Sequence, residues 1–444
     1  MRVDKRPATW MLWGLLLVSP FPALGAGDAP AAVLTLNQAL DIALRQNPSV
    51  QNAQIEVNKA DVNVKAARTR EFPSLNLDAT GSRNLTPQTY HFKAGIFGPV
   101  PPEDVNIQAQ NDYSSIVSLS ISQPLSQLYR IGLSVDQKKV MSKIAEQQLR
   151  SSRQEMARRV KQAYYDLLKT QNLLHASEES ITFYTELEHV VQQNYQQKTV
   201  LEYQVLEVQS DLARSKHEAL EHLSRMQTEK EKLNELLGRE ISESLSVTEV
   251  GLDQQSSPNL DQAKKAAVDQ RPETNEAQLK LQHAQYGYRI ERSRYWPDIG
   301  LRLRYSRLFN TQFIPDELSA IELTARWEFF DWGRKSHELE EKNYAVNQAR
   351  NQIWEARSRV LTDVNSSVRK LDDARDLVKV TQLTVAATKE KSRVLMNQYR
   401  QKTALLDDVL KAQSQWVDAV TEHANAQLSV WTAQAALARA MGEE

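Results

Sequence analysis

The chain has 444 residues, 55 basic and 56 acidic side chains and no cysteine. Balanced charge disfavours nucleic-acid binding through a broad basic field. The missing cysteine excludes disulfides, a thiol nucleophile and a cysteine-linked lipid anchor. The 13 glycines and 15 prolines cluster in a few places, and the long stretches between clusters predict long helices.

The first residues are typical of a secretory signal peptide. Basic residues precede an apolar stretch from Trp10 to Leu17, and small residues follow up to Ala26. This stretch is too short to span a membrane as a helix. We predict a signal peptide over 1–26, with the mature chain outside the cytoplasm. After it, no apolar run approaches the roughly 20 residues of a spanning helix, so a helical membrane protein is excluded.

The rest of the chain consists of two related halves. Some landmarks recur after 224 positions: Asn47-Pro48 as Arg271-Pro272, and Phe72-Pro73 as Trp296-Pro297. Later landmarks recur after 204 positions, such as Gln197-Lys198-Thr199 as Gln401-Lys402-Thr403. The first half therefore carries 20 extra residues, between Pro73 and Gln123. We predict a first repeat over 27–238, an irregular connector over 239–259, and a second repeat over 260–444.

Each repeat begins with helices that end at prolines and continues with a hairpin. The helices are predicted at Leu36 to Gln46, about Ser49 to Glu71, Leu260 to Gln270, and about Glu273 to Tyr295. Apolar and polar residues then alternate, which predicts four strands at about 73–85, 113–126, 297–309 and 318–331. The 20 extra residues are expected to form a surface loop at the tip of the first hairpin.

The strands carry one apolar face, one polar face and aromatic residues at one end. This pattern fits a membrane β-barrel with its apolar side toward lipid and its polar side toward a lumen. A soluble, half-buried sheet is the alternative. On the barrel interpretation, five charged residues line the lumen: Arg302, Arg304, Glu322, Arg326 and Glu328. Their mixed charge argues against strong ion selectivity.

Long helices follow each hairpin, at about 133–197, 200–237, 335–401 and 404–441. The 67 residues from 335 to 401 would span on the order of 100 Å. Apolar residues recur in sevens, and a four-residue step from Val360 to Val364 interrupts them. Such a pattern predicts straight, laterally packed helices of an antiparallel coiled coil.

The predicted fold is mainly α with a β-barrel part, and it requires assembly. Four strands cannot close a useful barrel, and an open sheet edge cannot lie in hydrocarbon. Three chains would supply twelve strands and twelve helical rods. The repeat count also permits a dimer or a tetramer.

The order of these features resembles the TolC-like outer-membrane efflux proteins. The features are the duplicated unit, the Phe-Pro and Trp-Pro junctions, the segment Phe330-Asp331-Trp332-Gly333-Arg334, and Tyr399, Thr403 and Asp408-Val409-Leu410 near the last reversal. The resemblance implies a homotrimer with a twelve-stranded barrel in outer-membrane lipid and a helical tunnel through the periplasm. It further implies a periplasmic adaptor and an inner-membrane pump as partners.

A periplasmic gate is expected beside the second reversal, at Asp407, Asp408 and Tyr399. From the residues alone, the alternative is that Asp407 and Asp408 are simply an acid pair in the first turn of a helix, where the helix dipole favours negative charge. The resemblance implies a ring of carboxylates at Asp408 and polar links through Tyr399. Two departures from the family pattern argue against a second ring of carboxylates. The family's next acidic position is Lys411 here, and the repeat counterpart of Asp408 is Gln204. Asp407 and Glu202 are candidate substitutes for that charge.

The reversals are expected to contact the adaptor, through Gln197, Lys198, Thr199, Gln401, Lys402 and Thr403. The family usually has glycine where this chain has Lys198 and Lys402. Lysine there indicates either a different turn or a charged contact surface. Exposed turn residues without a partner are the alternative.

No pattern indicates catalysis, and we expect no catalytic residues, cofactor or metal site. The eight histidines form no His-Glu-x-x-His pattern, and there is no phosphate-binding loop. We therefore predict a passive exit duct for small toxic compounds, drugs or metal ions, in a tripartite efflux system. Two alternatives are the outer-membrane component of type I protein secretion and a periplasmic coiled-coil scaffold without a pore.

Overall fold

The computed structural model describes residues 32–86, 89–108, 111–251, 259–311 and 314–443. The predicted signal peptide over 1–26 lies outside these residues, as do residues 252–258 of the predicted connector.

Eight α-helices account for most of the described chain. They are α1 (Leu36–Gln46), α2 (Pro48–Arg68), α3 (Gln127–Gln196), α4 (Glu202–Leu237), α5 (Leu260–Gln270), α6 (Pro272–Ser293), α7 (Arg334–Arg400) and α8 (Leu406–Met441). Both α2 and α6 begin with a proline, whose fixed φ suits the first helical turn. None of the helices in the described ranges is long and apolar enough to cross a membrane.

The long helices form one layer in which α3 and α8 are central. Helix α3 packs against α4 and α8, and α8 packs against α7, which gives the order α4, α3, α8, α7. Nearer the main sheet, α2 and α6 replace α4 and α8, so that the order becomes α2, α3, α6, α7. Heptad residues form the seams, with Val360, Val364 and Leu371 almost fully buried.

The main sheet is antiparallel and joins both repeats in the order β2, β5, β7, β8. Its strands are β2 (Ser74–Arg83), β5 (Tyr113–Pro124), β7 (Asp298–Phe309) and β8 (Glu317–Arg326). Because residues paired across strands share a face, one face carries leucine and isoleucine and the other serine and charged residues. The apolar face is exposed in the single chain, as the 71% exposure of Leu77 and the 77% exposure of Ile321 demonstrate.

Four shorter strands form two small sheets that the sequence analysis did not predict. They are β1 (Ala32–Leu34), β3 (Thr89–Phe92), β4 (Val105–Gln108) and β6 (Leu245–Val247). Strands β3 and β4 form a hairpin within the expected surface loop. Strand β6 gives the connector a regular element where we expected none, and it pairs in parallel with β1. The Tyr164 hydroxyl donates to the carbonyl oxygens of Leu34 and Thr248, which ties α3 to this pair of strands.

Candidate functional site

The two helix reversals share one hydrogen-bond pattern. The Thr199 amide donates to the Asn194 carbonyl at 3.0 Å, and the Thr403 amide donates to the Gln398 carbonyl at 2.9 Å. Each threonine hydroxyl also donates to the same carbonyl. Such bonds satisfy carbonyls that a helix end otherwise leaves unpaired.

Lys198 and Lys402 occupy the left-handed position of these turns. Their φ angles are +60° and +61°, in the region that favours glycine. Of the two alternatives, the different turn is not observed, because lysine itself adopts the left-handed conformation at both positions. This conformation costs a non-glycine residue roughly 1 kcal/mol. Both ammonium groups are thereby held at the exposed end of the helical layer.

The two reversals lie side by side. The Lys402 ammonium donates to the Gln197 side-chain carbonyl at 3.2 Å. All six turn residues expected to meet an adaptor are exposed. The structure thus brings both sets together on one surface, although they are about 200 residues apart in the chain.

A shared apolar core lies directly behind the reversals and draws on all four long helices. Its buried members are Tyr184, Leu187, Val191, Val205, Val208, Leu212, Met396, Tyr399, Leu406, Val409 and Leu410. The tips of the two repeats therefore fold as one unit. The second long helices of the two repeats differ in position, because α8 is central in the layer and α4 is at its edge.

This difference in position breaks the symmetry of the repeats. Tyr399 is buried, whereas its counterpart Tyr195 is exposed. Leu410 is likewise buried at 8% exposure, whereas its counterpart Leu206 is 58% exposed. Edge helix α4 consequently presents apolar side chains that no described residue covers.

Tyr399 contributes its ring to the core and has a poorly satisfied hydroxyl. This hydroxyl is buried without a hydrogen bond of ordinary geometry to any described residue. Burial raises the pKa of Tyr399, and the nearby Asn194 side chain partly opposes that shift. Among the described residues, Tyr399 forms no polar link of ordinary geometry of the kind that the resemblance implies.

The two candidate gate carboxylates differ in their partners. Asp407 and Asp408 are both exposed in the first turn of α8. The Lys411 ammonium lies 2.5 Å from an Asp407 carboxylate oxygen, and its pKa is raised by Asp407 first and Asp408 second. Within the described ranges Asp408 makes no ion pair. Asp408 is therefore the less compensated carboxylate of the two.

Two ion pairs that the sequence analysis missed connect α7 to α3. Arg400 pairs with Glu186, and Lys389 lies 3.0 Å from Glu179. They cross a groove of about 430 Å³ that also exposes atoms of α8, including Trp416. No local sequence pattern identifies such pairs, because each joins residues more than 200 positions apart.

Most of the predicted lumen-lining residues share the polar face of the main sheet. Arg302 pairs in register with Glu322, and Arg304 donates to the Glu322 carboxylate at 2.7 Å. Arg326 lies on the same face at the end of β8. Glu328 lies beyond β8, where its carboxylate accepts from Arg334 at 2.7 Å. Glu328 therefore belongs to the junction between the sheet and α7.

Across the part of the chain that the structure describes, no group of three or more histidine or acidic side chains is arranged to hold a metal ion.

The chain has two open edges that run the length of the molecule. Strand β2 and helices α2 and α4 form one edge, and strand β8 and helix α7 form the other. Exposed apolar residues lie on both, such as Leu220 at 63% on α4 and Leu383 at 73% on α7. Because the two edges differ from each other, a contact between them would join copies of the chain head to tail.

These features define a class of protein: a chain whose two-faced sheet continues into long helical rods, as in channels with a barrel and a helical tunnel. The chain belongs to the outer membrane efflux protein family, whose sequence profile matches residues 39–239 and 264–443. Proteins of this family are efflux channels, which is not a class of enzyme.

Solved structures of outer-membrane proteins, including channels, have the same fold. The CmeC channel of Campylobacter jejuni is 16% identical, with a TM-score of 0.78 over 92% of this chain and 85% of that chain. VceC of Vibrio cholerae is 16% identical, with a TM-score of 0.76 over 92% and 96% of the two chains. CusC is 14% identical, with a TM-score of 0.75 over 95% and 96%.

A Haemophilus influenzae protein described as uncharacterized is 21% identical over 285 residues. The match covers 62% of this chain and 57% of that protein's length.

Proposed function

We propose that this protein is the outer-membrane exit duct of a tripartite efflux system, a passive channel for small toxic compounds. The proposal rests on one observation: the sheet and the helical layer end at the same two edges. Strand β2 and helix α4 lie at one edge, and strand β8 and helix α7 lie at the other. Head-to-tail closure pairs the unpaired strand ladders and covers the apolar edge residues. In the closed barrel, the exposed apolar face of the sheet contacts the hydrocarbon of the membrane.

The assembly is a homotrimer with twelve strands in the outer membrane and a tunnel in the periplasm. Three copies of a four-stranded sheet give the even strand number of outer-membrane barrels, wide enough for a lumen. Arg302, Arg304, Glu322 and Arg326 then line that lumen, with Glu328 at its inner end. Their mixed charge favours a duct with little charge selection of its own.

The partners are a periplasmic adaptor, which meets the exposed reversals, and an inner-membrane pump. The adaptor contacts Gln197, Lys198, Thr199, Gln401, Lys402 and Thr403. Asp408 narrows the periplasmic aperture as a ring of carboxylates. Asp407 is largely compensated by Lys411, and Tyr399 supports the gate through packing.

The lack of cysteine allows a sharp test of the assembly. Leu220 lies 18 residues from the start of α4 and Leu383 lies 17 residues from the end of α7, so both are about 25 Å above the tips. Leu220→Cys/Leu383→Cys should form disulfides between copies under mild oxidation, and denaturing gels should reach three linked chains and stop there. Each single variant is the control and should give no closed set of three.

A soluble periplasmic monomer on fractionation would contradict the proposal and favour a scaffold without a pore. For function, a strain lacking the protein should become sensitive to toxic compounds, and the wild-type chain should restore resistance. If sensitivity does not change but export of a large polypeptide stops, protein secretion replaces small-molecule efflux.

A further inference from the structure

A second groove lies between α4 and α8, with α3 as its floor. Its volume is about 320 Å³. Five carboxylates line it, from Glu207, Asp211, Glu218, Asp407 and Asp418. Only Arg214 and Lys411 supply positive charge, so the lining has a net charge of −3.

The negative charge is concentrated on three of these carboxylates. Arg214 pairs with Asp211 at 3.2 Å, and Lys411 pairs with Asp407. Glu207, Glu218 and Asp418 make no ion pair with any residue that the structure describes. Both basic residues of the groove are thus already engaged, and the remaining charge faces the groove uncompensated.

A buried tyrosine in the floor gives the groove a second polar feature. Tyr184 is only 7% exposed, and its hydroxyl has no hydrogen bond to the described part of the chain. Burial raises its pKa to about 12, with further contributions from Asp211 and Glu218 that Arg214 partly offsets. The hydroxyl therefore lies within the field of these carboxylates but has no donor to accept from. A ligand in the groove that donates to this hydroxyl would supply the partner that the described residues do not.

The chemistry of the lining favours an organic cation over a metal ion. No described set of three ligating side chains converges on one point, as divalent metals require. Spread carboxylates suit the several N–H donors of an alkylammonium group. Leu410 and Val417 complete the lining and offer apolar contact to methylene groups.

The groove between α3 and α7 lacks this character. Its lining contains the acids Glu179 and Glu186 but three basic residues, Lys389, Arg393 and Arg400. Both of its acids are paired with basic residues across the groove. The excess of negative charge therefore distinguishes the groove between α4 and α8 from the groove between α3 and α7.

We propose that the groove between α4 and α8 binds organic ammonium cations, such as alkyl polyamines, and gathers them at the periplasmic end of the duct. The inference rests on the proposed function, because the resemblance that puts Asp408 at the aperture also puts the neighbouring groove on the duct wall. It narrows that function to a preference for cationic compounds.

The test is calorimetric titration of spermidine into the purified full-length protein in nanodiscs at low ionic strength. Glu207→Gln/Glu218→Gln should weaken spermidine binding by about tenfold or more, since it removes two charged acceptors. Tyr184→Phe removes only the hydroxyl and should weaken binding about threefold to tenfold. The matched control Asp376→Asn/Glu390→Gln removes two exposed carboxylates of α7 and should change binding less than about twofold.

Equal affinity for all variants would overturn the site. Equal weakening of spermidine binding in the control variant would also overturn the site. Displacement of spermidine by Mg²⁺ that supplies the same concentration of positive charge would do so too, because both results indicate general electrostatic attraction. Thermal melting of each variant verifies folding. Tyr184→Phe, which leaves the packing volume unchanged, decides the outcome if the double variant does not fold.

Conductance measured on the same preparation separates this inference from the proposed function. Channels that conduct without binding spermidine contradict the groove alone. Spermidine binding by a protein that never conducts contradicts the duct and leaves the groove as a cation site of different purpose.

Discussion

Tyr399 and Tyr195 occupy equivalent positions in the two repeats, yet Tyr399 is 6% exposed and Tyr195 is 39% exposed. The difference arises from the neighbours of their helices. Tyr399 packs into the core shared by α3, α4, α7 and α8, and Tyr195 lies outside it. Duplication thus supplies matched rods, while the order of the helices decides which residue of each pair becomes part of the tip core.

Tyr399 is expected to act through its ring, because its hydroxyl lacks an ordinary hydrogen bond. Tyr399→Phe should change thermal stability by less than about 1 kcal/mol, since no hydrogen bond is lost. Tyr399→Ala should cost about 3–4 kcal/mol through the cavity that it leaves, and should raise closed-state conductance. Tyr195→Ala is the control and should have a much smaller effect. A large effect of Tyr399→Phe would restore the polar link as the better explanation.

Asp408 is expected to set the charge of the aperture. Asp408→Ser should raise single-channel conductance and lower cation preference, because it removes an exposed carboxylate that forms no ion pair with any described residue. Asp407→Ser should have a weaker effect, since Lys411 already balances Asp407. Planar-bilayer recordings at low salt make the comparison. If Asp408→Ser leaves conductance and cation preference unchanged, Asp408 is not the gate.

The long helices were predictable and their cross-contacts were not. Heptad spacing identified Val346, Val360 and Val364, which are all buried, because the apolar period of a coiled coil is local information. The parallel pair of β1 and β6 joins three-residue strands about 210 positions apart, too short for an alternating pattern. Candidate gate and turn residues came from the resemblance and the repeat. The two grooves and their ion pairs depend on how helices pack, which no spacing encodes.

The Glu186–Arg400 pair is expected to hold the end of α7 against α3. Arg400→Gln should change stability by less than about 1 kcal/mol, because both side chains are partly exposed. It should still raise the probability that the tip opens, which planar-bilayer recordings measure. Exchange of the charges in Glu186→Arg/Arg400→Glu should restore the wild-type value. If the exchange behaves no better than Glu186→Arg or Arg400→Glu alone, the effect comes from packing and not from charge.

Lys198 and Lys402 allow backbone and charge to be separated. Lys198→Gly/Lys402→Gly relieves the left-handed strain and should stabilise the tips by up to about 1 kcal/mol. Lys198→Glu/Lys402→Glu keeps the strain and reverses the charge, and should weaken cross-linking to the adaptor. If the glycine variant cross-links as well as the wild type and the glutamate variant does not, repulsion dominates. Unchanged cross-linking in both variants would remove the lysines from the contact.

Arg271 is expected to make stability depend on pH at the start of the second repeat. It is 5% exposed and pairs with Glu273 at 2.7 Å and Asp363 at 3.2 Å. Burial is the largest single influence on Glu273 and raises its pKa, but the hydrogen bond from Arg271, a backbone hydrogen bond and the charges of Arg271 and Arg439 together leave that pKa below its ordinary value. A lowered carboxyl pKa stabilises the fold above the ordinary value of 4.5, and this stabilisation is lost as pH falls through the lowered value.

Arg271→Met should therefore cost about 2 kcal/mol at pH 7 and progressively less below about pH 4. The expected cost is smaller than that of breaking a fully buried pair, because Glu273 and Asp363 keep partial contact with water. Thermal melting from pH 3 to pH 8 measures the effect. Arg294→Met removes a more exposed ion-paired arginine and should show a weaker pH dependence. A loss for Arg271→Met that is constant across this range would indicate that packing of the side chain, rather than its charge, stabilises the junction.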